Sequence, residues 1–232
     1  MTLPQSSLPL AIVTGGTSGI GLAIVKDLAR DHHVLALGRD PQRIAQITGL
    51  KNITPVAVDL VDHESLAQLV APLEKISVLV HCAAISEKFT TAEASPNDWR
   101  RHMEINLIAP AELSRLSLPA LRRAEGQVIF ISSGAGIRSI PGHTVYSASK
   151  HALRALADGL RIDEAKHRVR VATVAPGPTQ TPKTVSLRDD PQTQELYESF
   201  STPESIAAGV RVVVDATDDS QVTEVVVRPR FE

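Results

Sequence analysis

Cysteine, aromatic side chains and excess charge are all scarce in this sequence of 232 residues. The one cysteine, Cys82, excludes a disulfide within the chain, as is usual in a reducing compartment, and we expect a cytoplasmic protein. The net charge of −2 predicts neither a nucleic-acid partner nor a charged membrane surface as a partner. No stretch approaches the ~18 apolar residues of a membrane span, and the N-terminus lacks the basic start of a signal peptide.

Short apolar runs rich in Val, Ile and Leu alternate with longer segments of helical periodicity. The runs show little polar alternation, which is typical of strands buried on both faces of a parallel sheet. The candidate strands are residues 10–14, 33–38, 53–58, 77–82, 127–132, 169–174 and 222–227. The candidate helices are residues 19–30, 41–48, 63–73, 97–123, 146–166 and 203–216. This order predicts an α/β fold, a doubly wound parallel sheet of about seven strands with helices on both faces.

The alternation continues without a linker, so we predict a single domain over residues 9–232 after a flexible tail at residues 1–8. One connection, residues 178–203, is longer than usual for such a fold. Its large apolar side chains include Leu187, Tyr197 and Phe200. We therefore expect a partly apolar substrate lid at about residues 182–202, with a solvated insertion as the alternative.

A glycine-rich turn, "TGGTSGIG" at residues 14–21, follows the first candidate strand and opens a helix. Glycines there can adopt backbone dihedral angles that residues with a side chain cannot, and they let the backbone approach a phosphate. The free N–H groups at the start of the helix would bind that phosphate. The residues expected to serve such a site are Gly15, Thr17, Ser18, Gly19 and Gly21. A glycine turn alone is a weak signal, but its place after the first strand of an α/β chain favours dinucleotide binding.

The ends of the second and third strands suggest how the adenosine half is recognised. An acidic residue at the second strand end accepts the ribose hydroxyls of NAD, whereas this chain has Arg39 there, which can pair with the 2′-phosphate of NADP. We therefore favour NADP, although the neighbouring Asp40 keeps NAD open. Asp59, flanked by Leu60, is placed to meet the adenine amino group or to cap the helix that starts near His63.

Tyr146 and Lys150 are four residues apart, so they lie on one face of a helix. A nearby ammonium favours the phenolate and lowers the pKa of a tyrosine, which otherwise titrates near ~10. Ser133 ends a buried strand thirteen residues before Tyr146, and Asn106 lies in the long helix before that strand. These four residues are candidates for a proton-transfer site.

The combination of T-G-x-x-x-G-x-G, then Asn, then Ser, then Y-x-x-x-K resembles the short-chain dehydrogenase/reductase family over about residues 9–229. The resemblance implies a Rossmann-type domain that transfers hydride between a nicotinamide cofactor and a carbonyl or secondary alcohol. In this family pattern Tyr146 is the general acid/base and Ser133 binds the substrate oxygen. Lys150 binds the nicotinamide ribose and lowers the pKa of Tyr146, while Asn106 holds a water of the proton relay.

The same resemblance implies further cofactor contacts and an assembly. The additional cofactor residues are Ile20, Ala83, Pro176, Gly177 and Thr181, with Thr181 near the nicotinamide carboxamide. Family members often form homodimers or homotetramers through the two long helices, here residues 97–123 and 146–166.

Two departures from the family pattern bear on function. Cys82 and Ala84 stand where the family usually has Asn and Gly, which puts cofactor affinity or local geometry in question. The ending "VTEVVVRPR" looks more like the NADP-dependent hydroxy-acid dehydrogenases of the family than like its fatty-acid ketoreductases. The alternative function is a catalytically silent NADP-binding sensor or scaffold; a SAM-dependent methyltransferase would not explain the Ser, Tyr and Lys set.

Eight histidines raise the question of a metal, but none has the spacing of zinc ligands, and we expect no metal site. His143 is placed to line the mouth of the cleft, and the loop before it offers Ile137 and Arg138 to a substrate.

Overall fold

Seven parallel strands form one sheet in the computed structural model, which describes residues 7–185, 189 and 193–230. The strands are β1 (Leu10–Thr14), β2 (His33–Gly38), β3 (Ile53–Ala57), β4 (Val78–His81), β5 (Gln127–Ile131), β6 (Arg170–Pro176) and β7 (Glu224–Val227). Their order across the sheet is β3-β2-β1-β4-β5-β6-β7. The predicted α/β fold is confirmed, and each predicted strand is found within two residues of its expected ends.

Helices flank the sheet on both faces. They are α1 (Gly19–Leu28), α2 (Pro41–Ile47), α3 (His63–Val70), α4 (Pro96–Met103), α5 (Ala109–Ala124), α6 (Thr144–Glu164), α7 (Gln194–Ser199) and α8 (Pro203–Val214). The helical segment predicted over residues 97–123 is confirmed, although its hydrogen bonding changes along its length: a π-helical turn, Glu104–Ile108, joins α4 to α5. None of the described helices is long and apolar enough to cross a membrane.

The core has two layers because successive strand residues point to opposite faces of the sheet. In β1, Ala11 and Val13 pack with the layer under α1 and α8, whereas Ile12 packs with the layer under α3, α5 and α6. All three side chains are fully buried. Strands buried on both faces explain the continuous apolar runs of the sequence.

The sheet order places a topological switch between β1 and β4. The chain winds from β1 outward to β3 and then returns to β4 on the other side of β1. In such sheets ligands bind in the crevice beyond the carboxyl ends of the strands at this switch. The glycine turn follows β1, so the fold brings it to that crevice.

The long connection contains α7, a helix that the sequence did not predict. Tyr197 and Phe200 pack on each other, with ring centroids 6.0 Å apart. Neither ring lines the crevice at the switch point. Leu187, the third apolar residue of the expected lid, lies outside the described residues.

Candidate active site

The glycine turn has the geometry expected of a phosphate-binding loop. Gly15 has a positive φ of 64°, and a Cβ on it would lie only 3.0 Å from the Cα of Ala83. A Cβ on Gly21 would overlap the carbonyl oxygen of Gly15, so this position also requires glycine. No acidic residue lies in the first turn of α1, and the Ser18 side chain does not cap it. The N–H groups of that turn are therefore available to an anion.

Thr14 joins the ends of β1 and β4. Its Oγ1 accepts hydrogen bonds from the N–H groups of Cys82, at 3.0 Å, and Ala83, at 3.1 Å. These bonds fix the backbone where the chain departs from the family pattern. Burial raises the pKa of the Cys82 thiol to about 11, so this side chain stays protonated and neutral near pH 7.

Lys150 and Tyr146 project from the first turns of α6 into the crevice. The Lys150 ammonium lies 5.9 Å from the centroid of the Tyr146 ring and donates to the carbonyl oxygen of Ile131 at 2.9 Å. Its side chain is buried, and burial lowers the pKa of Lys150 to about 8. This lysine therefore loses its proton far more readily than a lysine in water.

Ser133 follows β5 and lines the same crevice as Tyr146. Burial raises the pKa of Tyr146, and a hydrogen bond with Ser133 opposes that rise. The expected lowering by the Lys150 ammonium is not what the structure shows, because loss of water around the phenol has the larger effect. The Oγ of Ser133 also accepts from the N–H of Ala135 at 3.1 Å, which fixes its side chain.

Asn106 lies in the π-helical turn, and both polar atoms of its side chain make hydrogen bonds. Its Oδ1 accepts from the N–H of Ile85 at 2.9 Å, and its Nδ2 donates to the Ile85 carbonyl at 3.0 Å and to Ser149 at 2.9 Å. Four residues later Pro110 has no N–H, so it cannot donate the usual helical hydrogen bond to the Asn106 carbonyl. That backbone carbonyl is thus released from the regular α-helical pattern beside Tyr146's helix.

The adenosine end of the crevice contains an ion pair that the sequence did not predict. Arg39 Nη1 lies 3.2 Å from Asp59 Oδ2, and both side chains are partly exposed. Asp40 accepts from the N–H groups at the start of α2, so its carboxylate caps that helix. The helix-cap interpretation of Asp59 was wrong, because Asp62 is the residue that caps α3.

One crevice of about 1360 Å³ joins the adenosine end to the catalytic residues. The predicted residues that line it are Gly15, Thr17, Ser18, Gly19, Ile20, Arg39, Asp59, Leu60, Ala83, Ser133, Tyr146, Lys150, Pro176, Gly177 and Thr181. Gly21 and Asn106 do not reach its surface; they shape the wall behind it. His143, Ile137 and Arg138 line its mouth, as the sequence led us to expect.

The segment after β6 forms the roof of the crevice. The N–H of Gly177 donates to the carbonyl of Val227 at 2.7 Å, so β7 fixes where this segment leaves the sheet. Thr181 then reaches the glycine turn, where its Cβ lies 3.6 Å from the position of a Cβ on Gly19. Gly177 and Thr181 both line the crevice.

Charge is unevenly distributed along the crevice. Three cationic residues that sequence reasoning did not place in the cofactor site, Arg138, Lys183 and Arg228, line its catalytic end. The carboxylates among the described lining residues, Asp40 and Asp59, both lie at the adenosine end. Lys183 follows the "PGPTQT" segment and Arg228 follows β7, and neither lies in a motif that the sequence analysis identified. The catalytic end is therefore suited to an anionic group.

Within the described residues there is no group of three or more His, Cys, Asp or Glu that could hold a metal ion.

The family model "short chain dehydrogenase" matches residues 9–192. The chain is 31% identical over 211 residues to the Probable NADP-dependent dehydrogenase of Haemophilus influenzae, covering 85% of this chain and 84% of that protein. It is 29% identical to the glycine betaine reductase ATRR of Emericella nidulans, covering 96% of this chain but 19% of that protein.

A solved structure supports the same relationship. The closed form of a serine dehydrogenase complexed with NADP⁺ superposes with a TM-score of 0.87 at 25% identity. The match covers 96% of this chain and 96% of that chain.

Proposed function

Because this chain belongs to the short-chain dehydrogenase/reductase family, whose members act on alcohols and carbonyls with NAD(P), we propose that it is an NADP-dependent oxidoreductase of a carbonyl or hydroxy acid. The observation that carries this proposal is the meeting of Ser133, Tyr146 and Lys150 in one crevice with the glycine turn. The bound nicotinamide would supply or accept the hydride.

The proposed work of the chain's own residues is to bind and protonate the substrate oxygen. The Ser133 hydroxyl holds that oxygen beside the Tyr146 hydroxyl, which donates its proton during reduction and takes it back during oxidation. A raised tyrosine pKa keeps the proton on Tyr146 until the oxygen acquires negative charge. Lys150 holds the nicotinamide ribose and stabilises the phenolate that forms.

Asn106 acts as a positioning residue in this proposal. Its side chain anchors the backbone at Ile85, just beyond β4, and buttresses α6 through Ser149. Its backbone carbonyl, which Pro110 leaves without the usual donor, is the group that would hold the relay water. The water then connects the Lys150 side of the site to solvent.

The preference for NADP rests on Arg39 and Asp40. Arg39 is partly exposed at the end of β2, where a 2′-phosphate would replace or join Asp59 as its partner. Asp40 caps α2 through Oδ1 and pairs with Arg43 through Oδ2, and these contacts hold its carboxylate toward α2 and away from the role of ribose acceptor that an acidic residue has in NAD sites. Two similar proteins support this preference: the Haemophilus influenzae relative is described as a probable NADP-dependent dehydrogenase, and the serine dehydrogenase structure contains NADP⁺.

The substrate proposed is one that carries a carboxylate. The support is the pair of arginines, Arg138 and Arg228, that line the same crevice as Ser133 and Tyr146. Ile137 and Ile140 lie on the same rim and are partly exposed, so they would pack against a short carbon chain. A hydroxy acid or its keto acid has both features.

We also propose that the chain assembles as a homodimer or homotetramer through α5 and α6. Exposed apolar side chains on these elements support the proposal: Ile162 of α6 is 77% exposed and Ile108, just before α5, is 43% exposed. Light scattering of the purified protein measures the assembly directly.

The experiment that tests the function follows NADPH oxidation with a panel of aldehydes, diketones and β-keto acids. We expect turnover with at least one keto acid, and a loss of about 100-fold or more in Tyr146→Phe with little change in NADPH affinity. Undiminished turnover in that variant would rule out Tyr146 as the general acid. Tight NADPH binding by the unmodified protein with no turnover on any substrate would instead favour the silent sensor.

A further inference from the structure

Lys183 bridges the crevice at the switch between β1 and β4. Its Nζ donates to the carbonyl oxygen of Ala84, directly beyond β4. The residue before it, Pro182, lies 3.5 Å from where a Cβ on Gly19 would stand. The segment therefore crosses from the β6 side, passes over the first residue of α1 and reaches the end of β4.

The ammonium of Lys183 donates to a neutral acceptor, the Ala84 carbonyl, although an anionic group would bind it more strongly. In the part of the chain that the structure describes, no carboxylate lies within ion-pair distance of it. Glu87, a carboxylate with an electrostatic effect on Lys183, is already paired with Arg101 at 2.8 Å. The side chain keeps an exposed surface, yet loss of water around the ammonium lowers the pKa of Lys183.

The glycine turn, by contrast, offers N–H groups but no cation. Thr17 and Ser18 are its neutral polar side chains, and the first turn of α1 has no charged residue. In doubly wound folds the pyrophosphate of a dinucleotide lies at this helix start, in the crevice at the switch point. A pyrophosphate at that place would lie between the turn and the Lys183 ammonium.

We propose that Lys183 binds the pyrophosphate of the cofactor and holds residues 181–183 across it. The inference rests on the proposed function, because it needs a dinucleotide in the crevice. On cofactor binding the ammonium exchanges the neutral Ala84 carbonyl for anionic phosphate oxygens, so that both partners of the hydrogen bond are charged and the bond is stronger. Arg138, beside the catalytic residues, remains for the carboxylate of the substrate.

The test measures binding to the protein without substrate, so it does not depend on turnover. NADPH and NADH binding is followed by nicotinamide fluorescence in wild type and Lys183→Met, and ADP-ribose and adenosine 2′-monophosphate are titrated as competitors. We expect the dissociation constants of NADPH, NADH and ADP-ribose to rise by one common factor of about tenfold, equivalent to about 1.4 kcal/mol. Adenosine 2′-monophosphate, which lacks the pyrophosphate, should bind unchanged.

Two control variants separate the site from general effects. Lys183→Arg keeps the charge and should keep most of the affinity. Lys26→Met removes the same charge from the last turn of α1, at the far end of that helix, and should leave all four ligands unaffected. Thermal unfolding of each variant checks that the fold is retained.

The outcomes are distinguishable. An unchanged NADPH dissociation constant in Lys183→Met overturns the inference, and a rise confined to the KM of a keto acid assigns Lys183 to the substrate instead. Equal weakening of adenosine 2′-monophosphate would show a general defect and also overturn it. If the wild type binds neither NADPH nor NADH, the proposed function itself fails.

Discussion

Pro110 stands four residues after Asn106 and has no N–H to give to the Asn106 carbonyl. Pro110→Ala supplies that donor and allows the π-helical turn to close into a regular helix. If the Asn106 carbonyl holds the relay water, turnover should fall by about tenfold, a part of what proton transfer contributes. The dissociation constant of NADPH should stay the same, because Pro110 does not line the crevice.

Pro119 provides the matched control, since it lies inside α5 but on its exposed side. Pro119→Ala should leave turnover unchanged and stabilise the helix slightly. Equal turnover in the Pro110→Ala variant and wild type would contradict a role for the carbonyl.

The buried Lys150 makes the stability of the cofactor-free protein depend on pH. Its pKa is about 8 in the fold and 10.5 in the unfolded chain, so between these values the unfolded chain binds the extra proton. The free energy of unfolding should therefore rise as the pH increases from 8 toward 10.5. Below pH 8 both states hold the proton, and the buried charge lowers stability by on the order of a few kcal/mol.

Lys150→Met isolates this effect because it keeps the volume and removes the charge. In urea titrations without cofactor the variant should be more stable than wild type at pH 7, and the difference should shrink by pH 9.5. A difference that is the same at both pH values would show that Lys150 does not titrate in this range. The difference between the two free energies of unfolding cancels the contribution of the other titratable groups, which both proteins share.

Arg39→Ala should separate the two cofactors. Loss of a charge-assisted contact with the 2′-phosphate is expected to raise the NADPH dissociation constant by about tenfold or more, while NADH binding changes little. Arg30→Ala is the control, because Arg30 also pairs with an aspartate but lies just after the C-terminal end of α1 and does not line the crevice. Equal weakening of NADPH and NADH would contradict recognition of the 2′-phosphate by Arg39.

The parts of the fold that could be predicted from the sequence are those governed by local pattern. Continuous apolar runs marked the strands because both faces of the sheet are covered, as Ile12 and Val13 show. The glycine turn could be placed because its backbone geometry admits few other residues at Gly15 and Gly21. The Tyr146 and Lys150 spacing likewise follows from helical periodicity.

The remaining features arise from contacts between segments distant in sequence. The Arg39 and Asp59 pair joins residues from two strand ends, and the Lys183 contact joins residues 99 positions apart. The periodicity of apolar residues does not predict contacts between residues so far apart in the sequence. The predicted lowering of the Tyr146 pKa was wrong for a related reason. The spacing indicated a nearby ammonium, but the pKa is raised by burial, and the depth of burial depends on the whole fold.

The π-helical turn at residues 104–108 has a local signal in the sequence. Pro110 and Pro119 both lie in the segment predicted as one helix, and Pro110 removes a donor near its middle. A proline four residues after a candidate catalytic residue indicates that the carbonyl of that residue loses its usual donor.

The hydrogen bond between Gly177 and Val227 also has a consequence for the order in which the protein matures during synthesis. The glycine turn, Ser133 and Tyr146 all leave the ribosome long before β7, yet the roof of the crevice takes its position from that strand. A nascent chain can thus assemble the first six strands while its nucleotide pocket still lacks a fixed upper wall. Tight cofactor capture is therefore expected only after β7 has been synthesised and has paired with β6.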